Sequence, residues 1–202
     1  MNSLTETADT SGGSRHEPRL PPGQILTVKW PVLHHGAVPR IDIARWDFRV
    51  FGLVTTPKRW TWEEFRTLPR IEVVSDVHCV TRWSRFDNRW QGVAVREVLN
   101  AAGVDPHARF AVAHAEHGFT SNLPLAELWA DDVLLADTHD GEQLTPEHGW
   151  PLRLVVPGRY FWKSAKWIRA LELLPDDRPG FWEQNGYHNQ ADPWKEERFS
   201  EW

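Results

Sequence analysis

One cysteine in 202 residues, Cys79, removes two common ways of holding a chain together. No intrachain disulfide and no multi-cysteine zinc site can form, so the fold must rest on its own apolar core. A hydrophobic content of 41% can fill a substantial core, and the length suits one large domain rather than two small ones. The thiol itself stays open to three uses: an inert buried group, a nucleophile, or a thiolate ligand to a soft metal centre. Cys79 stands at the end of the apolar run 71–80 and opens a loop carrying Arg82, Arg85 and Arg89. Cations there favour a thiolate if they point inward.

Around that stretch the chain reads as short strands broken by a few helices. Trp46 to Val54 alternates as a strand does, and Thr61-Trp62-Glu63-Glu64 is a capping box opening a short helix that Pro69 stops. Ile71 to Val80 is a strand that delivers Cys79 to a sheet edge. Trp90 to Val93 leads into a helix over Val95 to Ala102, ended by Gly103. Phe110 to Ala115 and Val133 to Thr138 are strands, Leu123 to Ala130 is a short helix, and Asp140-Gly141 is a hairpin turn. Without regular βαβ alternation, this pattern predicts an α+β fold.

Composition excludes several roles. A net charge of −5 gives no basic footprint for nucleic acid. No apolar run approaches the roughly 18 residues of a membrane-spanning helix. Residues 1–20 have almost nothing to bury and read as a disordered tail ahead of a domain over 21–202. They show neither a secretory nor a twin-arginine pattern, so the expected location is the cytoplasm. Thirteen Trp suit either core filling or a stacking surface for a flat ligand, as in carbohydrate-binding modules.

A second motif lies far downstream, in His148-Gly149-Trp150-Pro151-Leu152-Arg153 and Lys163-Ser164-Ala165-Lys166. Arg153 interrupts an apolar strand over Leu152 to Val156, and a buried arginine normally demands an anion. Lys163 and Lys166 supply donors for a phosphate. With Cys79-Val80-x-x-Trp83-Ser84 and Trp90-x-Gly92-Val93, the chain resembles the sulfite oxidase-like molybdopterin-dependent oxidoreductases. It is similar to short single-domain members near the sulfoxide-reducing catalytic subunit branch. That resemblance implies a β-rich mixed fold of the sulfite oxidase molybdopterin-binding type and a molybdenum-molybdopterin cofactor.

By the same resemblance Cys79 binds molybdenum through sulfur, and His148, Arg153, Ser164, Ala165 and Lys166 contact or clamp the pterin. His34 and His35 lie in the segment that crosses it, and His114 is a pocket-lining candidate. Arg82 and Arg85 are expected to bring positive charge to the substrate or the metal. The implied reaction is oxygen-atom transfer with a small oxo-donor or oxo-acceptor, with a separate protein as electron carrier. Thr81-Arg82-Trp83-Ser84 stands where the sulfite-oxidising loop has Gly-Asn-Arg-Arg, which favours reduction of an S-oxide or N-oxide over sulfite oxidation. Two other readings stay open: the Trp-rich carbohydrate module, and a cysteine hydrolase. For the latter His78 is the sequence neighbour, but on a strand it points to the opposite face.

Overall fold

The structure is a computed structural model that describes residues 19–200, so most of the expected tail lies outside the described residues. The chain opens with β1 (Ile25–Leu26) and an irregular segment that carries His34 and His35. β2 (Asp47–Gly52) pairs antiparallel with β3 (Lys58–Thr61), and Thr61 caps α1 (Trp62–Phe65). The capping box forms as expected: Glu64 N donates to Thr61 Oγ1 at 3.3 Å, and Thr61 N to Glu64 Oε2 at 2.8 Å.

β4 (Ile71–His78) runs antiparallel to β5 (Trp83–Ala94), which passes directly into α2 (Val95–Ala102). The Arg- and Trp-rich stretch after Cys79 is therefore not a long loop but a tight turn followed by a 12-residue strand. Its alternation is present, with Ser84, Asn88 and Trp90 buried and Asp87 and Arg89 exposed. Two of the inward residues are polar, which hides the strand pattern from a hydrophobicity reading.

β6 (Phe110–Ala115) and β7 (Thr120–Pro124) form an antiparallel pair. Leu123 belongs to β7, and a 3-10 segment over Leu125–Trp129 replaces the helix expected from Leu123 onward. Pro124 accounts for the shift, because the residue before a proline is driven to extended backbone. β8 (Leu134–His139) turns at Asp140 and Gly141, both with positive φ, into β9 (Glu142–Gln143). β10 (Arg153–Val155), β11 (Ile168–Leu174) and α3 (Phe181–Gln184) complete the order.

Two mixed sheets result, which makes the fold α+β. One has the order β1–β5–β8–β10, with β4 also on β5 and β9 on β8; the other runs β3–β2–β11–β6–β7. Phe48, Val50 and Leu171 of the second sheet share a core cluster with Val93, Leu135 and Leu154 of the first, joined by Leu99 of α2. Each such side chain contributes about 1.5–3 kcal/mol by burial. The first sheet has a second cluster, built on Val77, Trp90, Leu134 and Val155. On β10, Leu154 enters the inter-sheet core. Arg153 and Val155, two residues apart, share the other face.

Candidate functional site

Cys79 sits one residue past the end of β4, in a turn closed from several directions. Its N–H donates to Trp83 O at 2.9 Å, and Arg82 N, on a residue with φ of 71°, donates to Cys79 O at 3.0 Å. Gln24 Nε2 donates to Cys79 O at 3.1 Å, and Arg198 Nη1 to Val80 O at 2.8 Å. The thiol is 8% exposed, with Sγ 3.1 Å from Thr81 Oγ1. Burial pushes its pKa up, while hydrogen bonds from Thr81 and the charges of Arg198 and Lys166 pull it down. His78 lies 2.8 Å from Ser84 Oγ through Nδ1 and edges Trp194, so its ring is not engaged with the thiol.

Arg153 is the unusual group. It is 1% exposed, and no carboxylate among the described residues pairs with it. Nη1 and Nη2 donate at 3.0 Å to His148 O and Ser164 O, Nε has no partner, and the guanidinium lies 4.2 Å from the Phe161 ring centre. Burial pushes its pKa below the arginine range. Lys166 Nζ donates to Leu33 O and Glu147 O, each at 2.7 Å. Burial, with Arg153 nearby, lowers its pKa to about 7. Of an ammonium's three donors, two are taken in this way among the described residues. Gly149, at φ of 114°, lets the two cationic segments close up: a Cβ there would lie 3.1 Å from Arg153 Cβ and 3.3 Å from Lys166 Cβ. Two neighbouring cations, one with an unmet buried donor, fit an anionic ligand with several acceptors.

A cavity of about 280 Å³ joins these groups. Cys79, Arg153, Ser164, Ala165 and Lys166 line it, and His34 and His35 border it. The other expected residues fall elsewhere. His148 lies behind the wall, its ring stacked on Trp30 at 3.8 Å and its carbonyl holding Arg153. His114 sits on the second sheet, 2.8 Å from Glu172 through Nε2, because its position in β6 faces away. Arg82 is exposed on the turn, and Arg85 is tied to Asp140 at 2.6 Å and His139 at 3.1 Å; neither lines the cavity. Lys163 is not a free phosphate donor either, since Glu183 Oε1 lies 2.6 Å from its Nζ.

Trp162, Trp182 and Tyr187 form a further part of the lining that the sequence did not assign. The Trp182-Glu183-x-x-Gly186-Tyr187 run was the available signal. Its place at the cavity depends on a chain reversal that composition does not reveal.

Known proteins share this arrangement in sequence and in fold. The model of the family described as "Oxidoreductase molybdopterin binding domain" matches residues 35–182. The "Uncharacterized oxidoreductase YuiH" of Bacillus subtilis is 48% identical over 197 residues, covering 97% of this chain and 96% of that protein. The "Putative protein-methionine-sulfoxide reductase subunit YedZ1" of Azospira oryzae is 28% identical over 75% of this chain, which spans 57% of that relative. Among solved structures, the sulfane dehydrogenase SoxCD of Paracoccus pantotrophus shares the fold, with a TM-score of 0.67 at 24% identity. That match covers 76% of this chain and 43% of the SoxCD chain.

Proposed function

The chain belongs to the family of oxidoreductase molybdopterin-binding domains, and from that premise we propose that it is a molybdenum enzyme reducing a small S-oxide or N-oxide. The observation that carries the cofactor reading is Arg153, a buried cation that among the described residues has an unmet donor and no carboxylate, lining the same cavity as Lys166 and Cys79. Arg153 and Lys166 would hold the pterin and its phosphate, and Cys79 would ligate the metal through Sγ. When bound, a molybdenum-pterin centre supplies oxygen-atom transfer and two-electron chemistry.

The protein's own part is to bind, orient and dry the site. Trp30, Trp90 and Phe161 surround the Arg153 guanidinium and exclude water from it, which strengthens its pull on an anion. Thr81 Oγ1 is placed to donate to a Cys79 thiolate, and the charge of Lys166 favours the same ionised form. Because burial raises its pKa, the Cys79 thiol would give up a proton on ligating a metal, and these groups would ease that loss.

The direction of the chemistry rests on where charge is missing. Arg82 and Arg85 do not line the cavity, and a large share of the lining is aromatic. That arrangement supports an uncharged oxide over sulfite, in line with the name of the Azospira relative. Each turnover takes two electrons from a separate carrier protein and two protons from solvent, and releases the reduced compound and water. Sulfite oxidation is the competing reading, because Arg153 and Lys166 do line the cavity.

A paired assay on one molybdenum-replete preparation tests the proposal. Reduced viologen with methionine sulfoxide or trimethylamine N-oxide is expected to turn over, and ferricyanide with sulfite is not. Turnover with sulfite alone overturns the reductase reading. A preparation that binds neither molybdenum nor pterin overturns the cofactor reading.

A further inference from the structure

The cavity has two chemically different sides. One carries the thiol and the cations described above. The other is a cluster of half-buried rings: Trp182 stacks on Tyr187 at 4.7 Å and 23°, and Trp162 meets Tyr187 edge-on at 5.0 Å and 84°. These rings come from two places in the chain, the 3-10 turn Phe161–Lys163 and the segment around α3.

The tie between those two places is costly and specific. Lys163 and Glu183 form an ion pair at 2.6 Å, with side chains 1% and 3% exposed. Lys163 Nζ also donates to Asn122 O at 2.9 Å and to Asn122 Oδ1 at 3.0 Å. The same Glu183 Oε1 accepts from Trp162 Nε1 at 2.8 Å. A buried ion pair seldom adds net stability, so its use here is to fix geometry. It holds one ring directly and the backbone carrying Trp182 through its own helix. A wall made only to fill the core would not leave its rings lining a cavity.

We propose that Trp162, Trp182 and Tyr187 form a subsite for an aryl substituent on an uncharged oxide, with Glu183 as the positioning residue that holds the subsite together. This rests on the oxide-reductase reading for its chemistry. The subsite itself is defined by binding, and so is testable apart from that reading. Flat rings arranged as an offset stack with one edge-on partner offer an aryl group both favoured aromatic geometries, while a dimethyl compound gains only contact area. The rings add no charge to hold an oxyanion.

Equilibrium dialysis of the purified, cofactor-loaded protein with methyl phenyl sulfoxide and with dimethyl sulfoxide reads the subsite directly. The aryl compound is expected to bind at least about tenfold more tightly, equivalent to about 1.4 kcal/mol. In viologen-linked turnover, KM is expected to show the same ratio. Trp182→Ala and Tyr187→Ala should bring the ratio to within about threefold, whereas Tyr187→Phe, which keeps the ring, should retain it. Glu183→Gln should lower the ratio without removing a ring, a result that a purely structural loss, read by the thermal midpoint, would not give.

Equal binding of the two sulfoxides by the wild type overturns the subsite, as does a preference untouched by both alanine variants. Preferential binding without turnover of any oxide leaves the subsite standing and overturns the reductase reading instead.

Discussion

Lys163 and Arg153 are equally buried, each 1% exposed, yet they lie in opposite environments. Lys163 has a carboxylate at 2.6 Å and two acceptors from Asn122. Arg153 has two backbone carbonyls, three ring faces and an unpartnered Nε. Taking a cation out of water costs several kcal/mol, and only the first region offsets that cost with an opposite charge. A buried cation matched inside the fold is a structural tie. One left short of an anion is prepared for a ligand that brings it.

The strongest way to break this comparison is to unpair Lys163. Glu183→Ala is expected to destabilise the protein by about 3–5 kcal/mol in urea unfolding, because an uncompensated ammonium stays buried. A loss below about 1 kcal/mol would make the two regions alike. Next comes the ligand side: Cys79→Ser should cut oxide turnover at least about 100-fold, since losing even an indirect partner of a metal ligand costs 10–100-fold. Molybdenum-normalised turnover is the measurement, with circular dichroism to check the fold.

Arg153→Met should separate fold from ligand. Stability of the cofactor-free protein is expected to change by no more than about 1–2 kcal/mol, as the lost carbonyl bonds offset the relief of a buried charge. Pterin retained through purification, read by fluorescence after release, is expected to fall about tenfold or more. The smallest effect concerns Lys166, whose pKa is about 7 in the fold and higher in an unfolded chain. Between pH 7 and 9 the unfolded chain then binds more protons, so stability of the cofactor-free protein rises with pH. The rise is expected to be about 1 kcal/mol from pH 7 to 8 and to vanish in Lys166→Met, as followed by thermal midpoints across that window. Above it the buried Cys79 thiol, with its raised pKa, acts in the opposite direction.

Features with local causes were legible in the sequence. The Thr61–Glu64 box, the stop at Gly103, and the Asp140–Gly141 turn each depend on neighbours within a few residues. Cys79 and Arg153 stood out because each breaks the pattern around it, and the structure brings both to one cavity. β5 is hidden in the sequence because Ser84 and Asn88 occupy inward positions where an apolar pattern needs hydrophobic residues. In the sequence Lys163 looks like a free donor because its partner, Glu183, arrives only through a chain reversal. Where His114 and Arg85 point depends on strand parity, and where Arg82 points depends on the turn, neither of which residue type reveals.

The Cys79 turn is fastened by Gln24 from one direction and by Arg198 from the other, across 55 and 118 positions of sequence. Lys166 reaches back over 133 positions to Leu33. Closures of that span are slow relative to local ones, and none of them exists before both participants have been synthesised. The two sheets already hold most of their pairings without residue 198, whereas the turn acquires its last fastening only when that residue arrives. The site is thus a late event in the life of the chain. A ligand that then binds across it links segments from both ends, and resists their release by as much free energy as its own binding supplies.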